Sequence, residues 1–355
     1  MARGINRTGR TGRNGEPARP TIHDVARAAN VSIATVSKAL NNSGSLRQET
    51  RTRIAEVAKG LGFRPNSLAQ SLHRGHSLTV GLISTDSFGR FTIPIMEGLE
   101  ECLTDSRMSV FMCNATDDPV REAQHVESLI GKRVDGIVVT GRRADLRPKL
   151  VVPSPGIPVL YVYSRVDDPN EYSLVPDDEG GAVLAVEHLI KLGRKRIAHV
   201  TGPERFEAVR LRRQGYARTL QRAGRSDIDG LYLSGTWSEA WGREAVGRLF
   251  RTRRNAPDAI FCGNDQIARG VADALRERGV AVPEDVALVG FDNWEIIAQA
   301  TRPALTSVDM NLNEMGREAG RKMMQLIAGE RFAGVRRLPC TLVVRDSCGA
   351  RIASL

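Results

Sequence analysis

Four short stretches hold the side chains with most to offer a small polar molecule. Asp86-Ser87-Phe88-Gly89-Arg90-Phe91, Cys262-Gly263-Asn264-Asp265 and Gly290-Phe291-Asp292-Asn293 carry carboxylate, amide and guanidinium groups, and a tryptophan stands alone in Thr236-Trp237-Ser238. Such groups bond neighbouring hydroxyls in pairs, and an indole face covers the apolar side of a ring, so the set suits a small polyol. Each residue also has an ordinary structural use: Asp292 as a helix cap, Trp237 as core, Arg212 as one more solvated charge. Their joint placement at the ends of apolar runs is what points to a ligand.

Catalysis has no comparable support. No GxGxxG follows a strand-like run, and there is no P-loop, GxSxG or HExxH, so no phosphate cradle, nucleophile or metal site is encoded. Asp265 and Asp292 imitate a hydrolytic pair, but polyol binding accounts for them equally well. No enzyme activity, cofactor or metal is expected. His73 and His76 lack a second cluster to complete a site. Cys102, Cys113, Cys262, Cys340 and Cys348 have no CxxC spacing and read as free thiols.

The elements that must position the rim alternate apolar runs with helical segments, the pattern of a parallel sheet covered on both faces. Strands are expected over 79–84, 109–114, 136–140, 159–163, 196–201, 259–262, 286–291 and 342–345, and helices over 95–103, 181–192, 212–223, 240–250 and 267–278. Such sheets bind ligands beyond the carboxyl ends of their strands, where the polar stretches fall.

The N-terminal end differs. Residues 1–76 hold thirteen Lys and Arg against four Asp and Glu, so they carry +9 of the chain's +10 formal charge. Phosphate neutralisation and counterion release need such a concentrated positive field. Residues 1–19 alternate arginine with Gly, Thr and Asn and read as a disordered basic tail. From Thr21 the charges sit on amphipathic helices. Thr21 caps a helix with Asp24 three residues on, and Ile22, Val25, Ala26 and Ala29 share a face. Ser32 caps a second with Ile33, Val36 and Leu40 inward, leaving Thr35, Ser37, Lys38 and Asn41 on other faces. A third, roughly 47–61, turns Ile54, Val57, Ala58 and Leu61 inward and stops at Gly62. Arg64-Pro65-Asn66 and a short apolar helix follow as a hinge. No apolar run approaches a membrane span and no secretory signal opens the chain, so a cytoplasmic protein without a membrane partner is expected.

Together these residues resemble the LacI/GalR family of transcriptional regulators. "TIHDVARAANVSIATVSKALNNSGSLRQETRTRIAEVAKGLGFRPNSLAQSL" follows the family pattern DVAxxAxVSxxTVSxxLN, then TRxxIxxxAxxLxYxPNxxAxxL. "VPDDEGG", "HVTGPERFEAVRLRRQGY", "FCGNDQIARG", "VPEDVALVGFDN" and "RPALTSVDMN" follow in order. The resemblance implies a multi-domain chain: an all-α helix-turn-helix headpiece over 20–64, a hinge helix and linker over 65–77, and an effector-binding core over 78–348. That core is expected to be two-lobed, α/β and periplasmic-binding-protein-like, with parallel sheets and crossovers near 174, 303 and 335.

It also implies a repressor whose operator affinity a sugar-like effector controls. Ile33 and Ala34 would face bases, with Thr21, Ser32, Thr35, Ser37, Lys38 and Asn41 nearby, while Asn66, Ala69 and Leu72 would lie on the hinge helix and Leu72 would wedge into the minor groove. Arg212, Trp237, Asn264 and Asp292 match effector-contacting positions, and Phe88, Phe91, Tyr163 and Asp177 join them. Ala29-Asn30 replaces the common Ala-Gly turn, which asparagine tolerates. Ile33 and Ala34 stand where such proteins can carry a larger polar pair. The chain ends soon after its last strand without a heptad helix, so a homodimer on a near-palindromic operator is expected.

Overall fold

The computed structural model describes residues 20–41, 43–63, 76–225, 231–252 and 256–350. The expected tail over 1–19 and the hinge residues Asn66, Ala69 and Leu72 lie outside these. The chain divides into two units between Ser77 and Leu78.

The first unit holds three helices, α1 (Ile22–Ala28), α2 (Ile33–Leu40) and α3 (Gln48–Gly60). Val25, Val36 and Ile54 are fully buried at its centre with Ala26, Ala29, Ala39 and Ala58 around them. So few side chains make each large one count, at about 1.5–3 kcal/mol of burial apiece. At the start of α1 the Thr21 N–H and hydroxyl both donate to the Asp24 carboxylate, at 2.9 and 2.7 Å. Ser32 Oγ accepts from the Thr35 N–H at 3.1 Å. Asn30 makes the interhelical turn with φ 50°, and Gly62 ends α3 with φ 67°.

Two inward assignments are corrected. Ile33 is 42% exposed and Leu61 39%. Each lies at the end of its helix, one turn beyond the reach of so small a core, and the buried residues of α2 are Val36 and Ala39. Arg51 of α3 also serves the fold, donating to the carbonyls of Lys38, Ala39 and Gly44.

The second unit contains two six-stranded sheets. The first lobe is built from β1 (Thr79–Ser84), α4 (Thr92–Thr104), β2 (Ser109–Asn114), α5 (Pro119–Gly131), β3 (Gly136–Thr140), β5 (Val159–Val162) and β7 (Tyr172–Pro176), with β4 (Leu146–Arg147) and β6 (Arg165–Val166) forming a small separate ladder. The second lobe takes α6 (Asp178–Lys191), β8 (Ile197–Thr201), α7 (Glu207–Arg222), β9 (Tyr232–Ser234), α8 (Glu239–Leu249), β10 (Ala259–Cys262), α9 (Asp265–Glu277), β11 (Ala287–Phe291), α10 (Glu295–Ala298) and β12 (Thr306–Asp309). The chain then returns as α11 (Leu312–Ile327) and β13 (Gly334–Leu338) to the first lobe and ends as β14 (Thr341–Val343) in the second.

The orders are β13-β7-β5-β3-β1-β2 and β14-β12-β11-β10-β8-β9. All paired strands run parallel except β14, which is antiparallel to β12. Each order reverses at its first strand, β1 and β8, which opens a crevice at their carboxyl ends. The chain changes sheets at 176–178, 309–312 and 338–341. The second and third changes lie beyond the expected 303 and 335, because β12 stays in the second sheet through Asp309 and β13 in the first through Leu338. α11 lies against α4 backbone to backbone: a Cβ on Gly98 would collide with the Asn313 carbonyl, and one on Gly316 with the Ile95 carbonyl. No helix among the described residues is long and apolar enough to cross a membrane.

Candidate functional site

The second-lobe rim is organised around Arg212. It projects from α7, and its Nε and Nη2 both meet Asp178 Oδ1, at 2.8 and 2.7 Å, while Nη1 donates to the Gly263 carbonyl. The guanidinium carbon lies 3.6 Å from the centre of the Phe291 ring, and Asp292 Oδ1 is 3.7 Å from Nη2. Burial pushes Asp178 up from its ordinary range, and the Arg212 charge beside it pulls it back. A buried guanidinium and carboxylate in this contact stay charged as a pair.

Asp292 follows β11 with φ 99°, in the region that favours glycine. Its neighbours hold it there. Asn293 donates to Asp309 at 2.9 Å and to Ser307 Oγ at 3.1 Å, and it accepts from Arg345 at 2.8 Å. Trp294 N–H donates to Asp265 Oδ2 at 2.6 Å, and Ser307 Oγ to Asp265 Oδ1 at 2.5 Å. Asp265 is fully buried, and burial, then the negative charge of Asp292, pushes its carboxyl up to about 8. Asn264 caps α9, its Oδ1 accepting from Ile267 N–H at 2.9 Å, so its NH₂ is what it offers a ligand. Trp237 lies over Gly202, where a Cβ would collide with the indole, and its ring centre is 6.4 Å from that of Phe206.

The first-lobe rim is the loop after β1. Asp86 is buried, and its Oδ2 accepts from Phe91 and Thr92 N–H at 2.8 and 3.1 Å, which fixes the entry to α4. Phe91 stacks on Tyr163 at 4.8 Å, and Tyr163 has φ 51°. Between the rims runs Arg90: Nη2 is bonded to Asp292 Oδ2, Nη1 reaches Gln266 Oε1 at 3.4 Å, and the guanidinium lies 4.4 Å from the Trp294 ring and 4.9 Å from Phe91.

The structure therefore brings together Phe91, Tyr163, Arg212 and Asp292, with Asn264 at the same strand ends. Phe88 is not among them. It is 94% exposed, because the turn that aims Phe91 inward leaves Phe88 on its outer side. Asp177 caps α6, its Oδ1 accepting from Gly180 N–H at 3.0 Å, a structural use of the carboxylate. Arg90 belongs to the polar stretch after β1, but nothing in the sequence marks its approach to Asp292, and Asp178 reads as an ordinary acid in a helix's first turn.

On the headpiece, Ser32, Ile33, Ala34 and Lys38 are exposed along one side of α2, Thr35, Ser37 and Asn41 are half-buried, and Thr21 is exposed at the start of α1. Thr35 Oγ1 and Ser32 Oγ are 2.8 Å apart, and Asn41 Nδ2 donates to Ser37 Oγ at 3.2 Å.

Comparison with known proteins agrees with this division. Residues 21–66 match the bacterial regulatory proteins of the lacI family, and residues 186–348 match the periplasmic binding protein-like domain. The transcriptional regulator DegA of Bacillus subtilis (strain 168) is 32% identical over 333 residues, 93% of this chain and 98% of that protein. The ribose operon repressor of Escherichia coli (strain K12) is 31% identical, over 83% of this chain and 89% of that one. Among solved structures, the Lac repressor dimer bound to operator and the anti-inducer ONPF superposes with a TM-score of 0.76 at 26% identity, covering 94% of this chain and all of that one.

Proposed function

Because the chain belongs to the LacI family of bacterial regulatory proteins, we propose that this transcriptional regulator, which is not an enzyme, is a cytoplasmic homodimer whose grip on a near-palindromic operator is set by a sugar-like effector in the core cleft. The observation that carries the reading is the pairing, in one chain, of an exposed helix face with a polar-aromatic cleft. Ile33, Ala34 and Lys38 lie on the first, and Phe91, Arg212 and Asp292 on the rims of the second. α2 enters the major groove, with Ser32, Thr35, Ser37, Asn41 and Thr21 contributing backbone and base contacts. Asn66, Ala69 and Leu72 complete the DNA surface at the operator centre. A relative named for a ribose operon and a neighbour holding an anti-inducer support the effector class.

Coupling between the sites is a population shift: an effector that prefers the DNA-incompetent geometry of the dimer releases the operator, and one that prefers the competent geometry tightens it. The test is footprinting of the protein on its own promoter, followed by titration of sugars into the complex. Protection of a near-palindrome that a sugar weakens or strengthens is expected. Binding without sequence preference, or chemical conversion of the sugar, overturns the reading.

A further inference from the structure

Arg90 is out of place in a cleft meant for neutral hydroxyls. Its side chain is 13% exposed, set against the Trp294 and Phe91 rings, and its anionic partner is Asp292, itself 6% exposed and already 3.7 Å from Arg212. The fork is half used. Nε and Nη2 form the edge that takes a carboxylate side-on, yet only Nη2 bonds Asp292, while Nε is buried without a hydrogen-bond partner among the described residues. Arg212 differs, since Nε, Nη1 and Nη2 all have partners within the second lobe.

Asp292 Oδ1, 3.7 Å from Arg212, can accept from a ligand hydroxyl while Oδ2 stays with Arg90, but a polyol that takes Oδ2 as well displaces the anion Arg90 holds. That strands a guanidinium between two aromatic rings, where an unpaired charge is strongly unfavourable. The ligand that solves this brings its own anion. We propose that the effector is a sugar derivative bearing one carboxylate or phosphate, that Arg90 receives this group through its Nε–Nη2 edge, and that Asp292, freed of Arg90, bonds the ligand's hydroxyls. The inference rests on the cleft reading above. A carboxylate and a phosphate present the same paired oxygens to a guanidinium, so they are separated by experiment.

The full-length protein is titrated calorimetrically with matched sets: a hexose with its aldonate, its uronate and its 6-phosphate, and a pentose with its aldonate and 5-phosphate. In one set, an anionic member binds at least about tenfold more tightly than its neutral parent, the scale of a bidentate charge-assisted contact. Whether acid or phosphate wins identifies the group. Arg90→Gln reduces that preference to within about threefold, and Arg90→Lys, which keeps charge but not the fork, retains only part of it. Thermal unfolding verifies that both variants fold, and the wild-type ratios need no variant. Neutral parents binding as tightly as their anionic partners overturn the proposal and leave the cleft reading intact. So does an anion preference that survives Arg90→Gln. If no member of any set binds at millimolar concentration while promoter DNA is still bound, the sugar reading itself falls and takes the proposal with it.

Discussion

Asp178 and Arg212 form an ion pair in which both side chains are 3% exposed, with one carboxylate oxygen receiving two guanidinium nitrogens. The two residues lie on neighbouring helices of one lobe, so the arginine is held before any ligand arrives. Phe291 beneath it and the Gly263 carbonyl beside it leave it a single pose. A prearranged donor loses less conformational freedom on binding, which favours affinity.

Asp178→Asn should therefore be severe. Removing one partner of a buried pair leaves the other charge uncompensated, at about 3–5 kcal/mol. Asp292 is near enough to Arg212 to hold the loss toward the lower end. Urea unfolding of the full chain measures it, and an unchanged midpoint contradicts the assignment. Arg213→Ala is the control. Its pair with Glu204 is about half exposed on both sides and its guanidinium lies 4.4 Å from the Tyr232 ring, so its removal should stay within about 1.5 kcal/mol.

Asp265 predicts a pH dependence with a definite sign. Burial and the Asp292 charge push its folded carboxyl from an ordinary value of 3.8 up to about 8, so between these limits the folded protein holds a proton the unfolded chain has released. Stability from this group is present below about pH 4 and declines as pH rises toward about 8, by a few kcal/mol in all. Asparagine imitates the protonated acid: its Oδ1 accepts from Trp294 N–H, and its NH₂ stands where the acid's O–H would, with the Ser307 hydroxyl turned to accept instead of donate. Asp265→Asn should flatten the decline, with little loss at about pH 8. Urea midpoints at about pH 5 and about pH 8 check it, and parallel curves for the two proteins sink the idea.

These groups show what a sequence reveals. β1, β2, β3 and β10 are legible to the residue. In the inner strands β1, β3 and β10 the signal is a nearly unbroken buried apolar run. β13 is hidden because it lies at an edge with Arg336 and Arg337 exposed, and α11 because its buried face is written in Met, Gly and Ala rather than Leu and Val. At the site, Arg212, Asn264 and Asp292 stand out because each sits in a distinct motif. The pairing of Arg90 with Asp292 is not legible, since the two lie 202 residues apart on different lobes and no local pattern records that approach.

In the headpiece, Asn30 has φ 50° in the turn between α1 and α2. Asn30→Gly should stabilise α1 and α2 by up to about 1 kcal/mol, because glycine enters that region without steric cost. Ser32→Ala should destabilise them by about 1 kcal/mol through loss of the cap to Thr35. Hydrogen exchange of the Val25 and Val36 amides in the full-length protein reads both. Protection must rise in the first variant and fall in the second.

The last prediction concerns how the lobes stay together. Glu207, at the start of α7 in the second lobe, accepts from Arg165 of β6 and lies 3.7 Å from Arg337 of β13, both in the first lobe. Its N–H donates to Asp145 Oδ1 at 2.8 Å, and the Arg143 guanidinium lies 4.9 Å from the neighbouring Phe206 ring. With Arg90 and Asp292, this makes two separate fastenings across one crevice. Glu207→Gln removes the charge from one and touches none of the proposed ligand contacts. If the effector is held as proposed, by Phe91 and Tyr163 from one rim and Arg212 and Asp292 from the other, the closed geometry is the one that binds, and a smaller closed population lowers apparent affinity in proportion. A partly buried pair worth about 1–2 kcal/mol sets an upper limit of roughly five- to thirtyfold on the loss of effector affinity, approached as the open state comes to dominate. Small-angle scattering should show a larger radius of gyration without effector, converging on wild type at saturation. Equal affinities for the two proteins would mean that Glu207 serves only the entry to α7.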